Sequence, residues 1–281
     1  MDDLPPAWRD HRDEAVRRPP APGPDEPAFY VEMMDLQGEA YARNAFARGT
    51  EREVTALVER LARHGVDLLA DVSVLDVGCG DGRHLRALAT WDRRRGVLTG
   101  IGVDVSPALV AAARTAAERA GGGGLAFEVG DARRLAAVPA VADATAAGGV
   151  DVAWTLCQGG FGTSPASDPD VVAGLAGSVR PGGLVVLTAF HALFAARHLA
   201  PGDAYDVVHG VHHQLAEVRG PDHARRTFDL WTTAHTAGEA VRLCADAGLD
   251  VLELVGCEPG RYDADELRLD DPELLLVCRR R

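Results

Sequence analysis

The chain has no lysine. All 29 basic residues are arginines, and 42 acidic residues bring the formal net charge to −13. A surface of that sign repels a phosphate backbone, so nucleic acid is not expected as a partner. Cysteine is sparse: Cys79, Cys157, Cys244, Cys257 and Cys278 are odd in number, widely spaced and without a C-x-x-C pair. That pattern argues against a disulfide framework and a zinc site, and no metal is expected. No apolar run approaches the ~20 residues of a membrane span. The acidic start, with Asp2 and Asp3, lacks the apolar core of a signal peptide. The expected location is the cytoplasm, away from membranes. Aromatics make up only 5%, while 47% of the residues are apolar and 25% charged, an ordinary balance for a globular protein. At 281 residues the chain suits one large α/β domain, or a domain with a cap.

Proline crowds the start, at Pro5, Pro6, Pro19, Pro20, Pro22, Pro24 and Pro27, so residues 1–27 read as an extended arm, partly disordered. From Ala28 to Phe46 the pattern turns helical and carries the aromatics Phe29, Tyr30, Tyr41 and Phe46. Thr50 and Glu53 have the spacing of a capping box for a helix to about Arg63, with Gly65 just beyond its end. Strands then alternate with helices. Strands are expected at Val72–Val77, Val97–Val103, Leu125–Val129, Val150–Leu156 and Leu184–Phe190. Helices are expected over Gly82–Thr90, from a Ser106 cap to Ala120, and over Pro169–Val179, with a looser, alanine-rich connection running from the end of the Leu125–Val129 strand to Gly149. Apolar strands alternating with helices imply an α/β fold, a doubly wound and mostly parallel sheet with helices on both faces. Beyond Phe190, Val207–Arg219 and Ala224–Ala234 read as an inserted antiparallel ribbon joined across Gly220, Pro221 and Asp222. Thr236 and Glu239 cap a further helix that ends at Gly248, and Val251–Gly256 and Glu273–Cys278 are closing strands. Residues 28–281 thus form one domain, with 28–64 as N-terminal cap helices and 191–235 as an inserted cap on the substrate side.

The chemistry concentrates at the strand ends. Val74-Leu75-Asp76-Val77-Gly78-Cys79-Gly80-Asp81-Gly82-Arg83-His84 is a strand running through a glycine-rich turn into a helix. The glycines let the backbone approach a ligand, and the helix N-terminus suits an anionic group. The spacing is G-x-G-x-G, and Arg83 stands where the G-x-G-x-x-G pattern of nicotinamide-binding folds wants its third glycine. Asp104, ending the second strand in Gly100-Ile101-Gly102-Val103-Asp104-Val105-Ser106, is placed to accept two ribose hydroxyls, or else to cap the next helix. Asp131, after the third strand, is placed to accept an adenine amino group, with the Ala132 N–H on a ring nitrogen.

This ordered series, continued by Asp151 to Gly162 and Val179 to Leu187, resembles the motif set of class I S-adenosylmethionine-dependent methyltransferases. The likeness runs from about Ala28 to the C-terminus. It implies a seven-stranded sheet whose last strand is antiparallel, with S-adenosylmethionine lying over the first four strand ends. It places Asp76, Gly78, Cys79 and Gly80 at the methionine part, Asp104 and Val105 at the ribose, and Asp131 and Ala132 at adenine. Leu156, Cys157 and Gln158 would line the methyl-bearing side. Tyr30 and Tyr41 would close over the site from the N-terminal helices, Tyr41 on the cofactor and Tyr30 on the substrate, or simply pack the cap.

Absences narrow the acceptor. Leu156-Cys157-Gln158-Gly159-Gly160-Phe161 is not the Asn/Asp-Pro-Pro-Tyr/Phe motif of DNA and protein-glutamine methyltransferases, and a Lys-Asp-Lys-Glu ribose 2′-O arrangement needs lysine. The resemblance therefore implies methyl transfer to oxygen or nitrogen of a small molecule, such as a bacterial natural product. Phe161, His213 and Trp231 are the expected substrate-side residues. His191, directly after the fifth strand, is the candidate base, since histidine titrates near neutral pH. Adjacent His212 and His213 would face opposite sides of a strand, which argues against a shared metal. Arg197, Arg219, Arg225 and Arg226 are open to an acidic substrate or to solvent. The ribbon equally suits a homodimer contact. The competing readings are an S-adenosylmethionine or S-adenosylhomocysteine carrier without turnover and an NAD-dependent oxidoreductase.

Overall fold

The structure is a computed structural model that describes residues 31–33, 36, 49–91, 95–121, 123–157, 159–163, 166–219 and 225–281. The proline-rich arm, Phe29, Tyr30, Tyr41, Phe46, Gln158 and the Gly220 to Asp222 turn lie outside the described residues. Its frame is a parallel sheet of β1 (Val72–Val77), β2 (Leu98–Asp104), β3 (Leu125–Val129), β4 (Val150–Thr155) and β5 (Val179–His191), in the order β3-β2-β1-β4-β5. Between them run α2 (Arg83–Ala89), α3 (Pro107–Arg119), α4 (Pro139–Ala146) and α5 (Asp168–Ser178), while α1 (Thr50–Arg63) precedes the sheet. The far edge is closed by β9 (Leu249–Cys257) and β10 (Glu273–Arg280), β10 lying antiparallel to β5 over Glu273↔Phe190 to Arg279↔Leu184. These seven strands are the sheet that the motif series implied, last strand antiparallel included.

Alternation along each strand divides the core in two. Val74, Val152 and Val186 meet Leu57 and Leu61 of α1, Leu85 and Leu88 of α2 and Val110 of α3. Leu75, Ala153, Val185 and Leu187 meet Val141 of α4 and Val171, Val172 and Leu175 of α5. Each such side chain removed from water contributes about 1.5–3 kcal/mol, so both faces of the sheet must be covered by helices. Local signals set the helix ends. Ser106 accepts from Leu109 N and Pro107 stands at the first helical position of α3.

A three-stranded ribbon completes the ten strands found among the described residues. It consists of β6 (Ala204–Asp206), β7 (Val211–Arg219) and β8 (Arg225–His235), followed by α7 (Ala237–Asp246), whose Thr236–Glu239 capping box forms as expected. β4 ends its pairing at Thr155↔Leu187, but β5 continues, and Phe190 and His191 pair in parallel with Ala234 and His235. Glu273 of β10 takes the other side of Phe190, so β8 sits just past the end of β4.

Three expectations need correcting, and one further element appears. Ala132 to Gly149 is not loose: a 3-10 helix (Ala132–Ala137) and α4 fill it, and Leu135, Val138 and Val141 are buried. The first ribbon strand starts at Val211 rather than Val207, because Asp206 accepts from the Val208 and His209 amides and turns the chain there. A short helix, α6 (Ala192–Arg197), separates β5 from the ribbon. The Thr50–Glu53 capping box does not form: the helix is led by Gly49 with no side-chain cap, since Glu53 turns into the core.

Candidate cofactor and acceptor site

The ends of β1 to β4 converge on one edge of the sheet. After β1 the chain reverses through Gly78, Gly80 and Gly82 at φ of 72°, 54° and 73°, a region that favours glycine. The Gly78 and Cys79 amides both donate to Val103 O, at 2.7 and 3.0 Å, and so tie the turn to β2. Gly78 also meets the turn after β4 so closely that a Cβ on it would fall inside the Gly159 carbonyl. The Cys79 side chain is buried and points toward Gly102, so it is the backbone of Cys79 that faces the turn.

Three acids stand at the ends of β1, β2 and β3. Asp104 is 9% exposed; its Oδ2 accepts from Gly80 N at 2.8 Å and its Oδ1 from Ser106 N at 2.9 Å. Burial pushes its carboxyl up against those donors. The capping alternative is thus partly realised, yet a carboxylate offers about four acceptor sites and the Ser106, Gly80 and Val105 amides do not fill them all. Val105, beside it, is half-buried. Asp131 accepts from the Arg133 amide and guanidinium, whose hydrogen bonds hold its carboxyl below the usual range. Ala132 adjoins Gly160 of the turn after β4, where a Cβ would stand 2.9 Å from the Ala132 methyl. Asp76 is 1% exposed, and burial raises its carboxyl to about 6 against the pull of His84 and Arg83. The Trp154 indole is near enough to pull that carboxyl down as well, yet neither its Nε1 nor Asp76 Oδ2 has a partner of hydrogen-bond geometry among the described residues.

Residues 74–183 match the family described as "Methyltransferase domain". These residues carry a methyltransferase domain. Solved structures share its fold. The CcbJ methyltransferase of Streptomyces caelestis is 18% identical at a TM-score of 0.64, covering 83% of this chain and 89% of its own. CalS10 of Micromonospora echinaspora, an amino pentose methyltransferase solved with S-adenosylmethionine, is 21% identical at 0.57, covering 86% and 96%. The magnesium protoporphyrin IX methyltransferase of Synechocystis PCC 6803 is 15% identical at 0.56, covering 92% and 99%. No curated protein matches in sequence.

On the other side of the methyltransferase turn, Leu156 is buried, and Cys157 is the one non-glycine residue with positive φ (52°) among the described residues. Burial, then the Glu53 charge, push the Cys157 thiol up to about 12, so it stays protonated. Its sulfur lies 3.1 Å from Arg83 Nη2 and 3.0 Å from Tyr262 Oη. Phe161 is fully buried and stacks on His235 at 5.0 Å. His235 Nε2 reaches Asp168 Oδ2 at 2.8 Å, Asp168 Oδ1 accepts from Gly162 N, and Gly162 O accepts from Thr233 N at 2.7 Å. These bonds fasten the root of the ribbon to the turn after β4. His191, 3% exposed, faces the Asp271 carbonyl through Nδ1 at 2.9 Å. A carbonyl only accepts, so Nδ1 carries the proton and the Nε2 lone pair is left for another donor.

The ribbon histidines are separated. His213 pairs with Trp231 across the strands and with Asp229, His212 pairs with Asp203, and His209 with Asp206. Each has its own carboxylate, and His212 and His213 face opposite ways as strand geometry requires. Arg197, Arg225 and Arg226 are likewise taken, by Asp270, Glu217 and Glu32. No helix among the described residues is long and apolar enough to cross a membrane.

The sequence reading missed Glu53 and Tyr262. Glu53 carried a signal that pointed elsewhere, to a helix cap. Tyr262 carried none, since it stands alone in a loop 105 positions beyond its partner Cys157.

Proposed function

We propose that this methyltransferase acts on an oxygen or nitrogen of a small, partly apolar molecule, such as a bacterial natural product, held under the ribbon. The observation that carries the reading is the bond from Thr233 N to Gly162 O, with the Phe190–His191 pairing to β8. It fastens a ribbon of mixed polar and apolar side chains to the strand end next to the cofactor turns, and such a mixture lines small-ligand sites. Two fold relatives are named for small acceptors, an amino pentose and magnesium protoporphyrin IX. Residues 28–281 act as one domain in this reading, with 28–64 and 191–235 as its cap.

The turns fit S-adenosylmethionine. Asp76, Gly78, Cys79 and Gly80 hold the methionine part, where the unpartnered Asp76 Oδ2 suits a cationic group. Asp104 and Val105 hold the ribose through the acceptor sites that the backbone amides leave free. Asp131 and Ala132 hold adenine, with Asp131 sharing its carboxylate with Arg133. Leu156 and Cys157 line the methyl-bearing side, and His213 and Trp231 border the acceptor, with Phe161 buried beneath the ribbon root; Gln158, Tyr41 and Tyr30 are assigned to these sides by the motif resemblance alone. Bound there, S-adenosylmethionine supplies a methyl group on a positively charged sulfur, ready for attack by a lone pair. Alignment and exclusion of water then supply most of the rate, up to roughly 7–11 kcal/mol. His191 takes the acceptor's proton at Nε2. The test is methyl transfer from labelled cofactor to small hydroxy and amino compounds, DNA, RNA and folded protein. Preference for a small compound is expected; fastest labelling of a macromolecule would overturn the acceptor assignment.

A further inference from the structure

A buried charge cluster lies against the cofactor turns, centred on Glu53, which belongs to none of them. Glu53 of α1 is 0% exposed and pairs with Arg83. It also accepts from His84 Nε2 at 2.8 Å and Gly260 N at 2.7 Å, and lies 3.8 Å from Cys157 Sγ. Arg83 reaches on to Thr50 Oγ1 at 2.7 Å and Cys157 Sγ at 3.1 Å. Burial pushes the Glu53 carboxyl up, but the hydrogen bond and charge of His84 and the pairing with Arg83 outweigh it and hold it at about 2. Glu53, His84 and Cys157 present ligand atoms within 4.8 Å of one another, as a metal site would. The Arg83 guanidinium already stands among them, so the cluster contains its own cation.

One carboxylate therefore joins three separate segments: the first turn of α2, which follows Gly78 to Gly82; the Cys157 turn after β4; and the loop at Gly260. The first two approach each other at Gly78 and Gly159 without room for a side chain. We infer that Glu53 is a positioning residue for cofactor binding, a latch through Arg83 and His84 that sets the spacing of the turns after β1 and β4 from the root of the N-terminal cap. The inference rests on the reading of those turns as the cofactor site. Carboxylate charge matters as well as shape, because its loss leaves Arg83 buried beside a neutral partner.

The experiment is calorimetric titration with S-adenosylhomocysteine, which needs no acceptor, well below the melting temperature of each protein. If the unaltered chain fails to bind, the site reading falls, and the latch with it. If it binds, Glu53→Gln is expected to weaken binding at least tenfold. Arg83→Lys, which keeps a cation but loses the fork to Glu53, Thr50 and Cys157, is expected to do the same, and the double variant to lose little beyond either alone. Glu253→Gln, which breaks the cluster with Arg60 and His64 on β9 away from the turns, should lower the melting temperature and leave affinity alone. A Glu53→Gln protein that melts earlier but binds as tightly as the parent overturns the inference. Should Glu53→Gln not fold, Arg83→Lys decides: unchanged affinity there refutes the latch.

Discussion

Replacing Gly78 by alanine separates two costs that usually arrive together. The first is conformational: at φ 72° a Cβ is strained against its own backbone, about 1–2 kcal/mol. The second is a collision, because the new methyl would occupy the Gly159 carbonyl, far inside the 3.0 Å that real contacts keep. Backbone cannot rotate away as a side-chain tip can, so the turns after β1 and β4 must part, and losing even one hydrogen bond to a charged ligand group costs about 1.5–3 kcal/mol. Gly65 supplies the control. It has φ 84° and nothing within 4 Å of a Cβ, so Gly65→Ala carries the first cost alone. Calorimetry with S-adenosylhomocysteine should show at least a hundredfold loss for Gly78→Ala, about 2.8 kcal/mol, and no change for Gly65→Ala. Thermal unfolding should show a moderate drop for both. A folded Gly78→Ala protein that binds like the parent would refute the claim that this approach shapes the site.

Asp104→Ala removes a carboxylate that holds Gly80 and Ser106 and that we propose binds the ribose, so cofactor affinity should fall at least tenfold; unchanged calorimetric affinity would leave Asp104 a structural cap alone. Asp76 is raised from 3.8 to about 6 by burial, so the folded state binds the proton more tightly than the unfolded one. Its contribution is intact below about pH 4 and is lost as pH rises through 6, for roughly 3 kcal/mol in all. Asp76→Asn should therefore melt higher than the parent at pH 7.5 without ligand and nearly equal to it at pH 4; a pH-independent difference contradicts this. His191→Ala should cost ~10²–10⁴ in turnover with cofactor affinity unchanged, and an undiminished rate removes the base assignment.

Much of this protein follows from its sequence alone, and the reason is range. Strand and helix placement, the Ser106 and Thr236 caps and the G-x-G-x-G turn each depend on residues a few positions apart. So does the alternation that buries Leu75 on one face and Val74 on the other. The motif series was legible because each of its turns follows directly on a strand. Three features were decided only by the tertiary structure. Thr50 and Glu53 have the spacing of a cap, yet a buried guanidinium from Arg83 outcompetes a helix amide for the Glu53 carboxylate. Asp131 sits where the motif predicts, but which donors it meets depends on how Arg133 folds back onto it. The ribbon's two long strands were readable as strands, whereas their place past the end of β4 follows from β5 being longer than its neighbour. Local spacing fixes which backbone a segment adopts; which buried charge meets which is settled when segments far apart in the chain share one water-free volume and each charge there must find a partner.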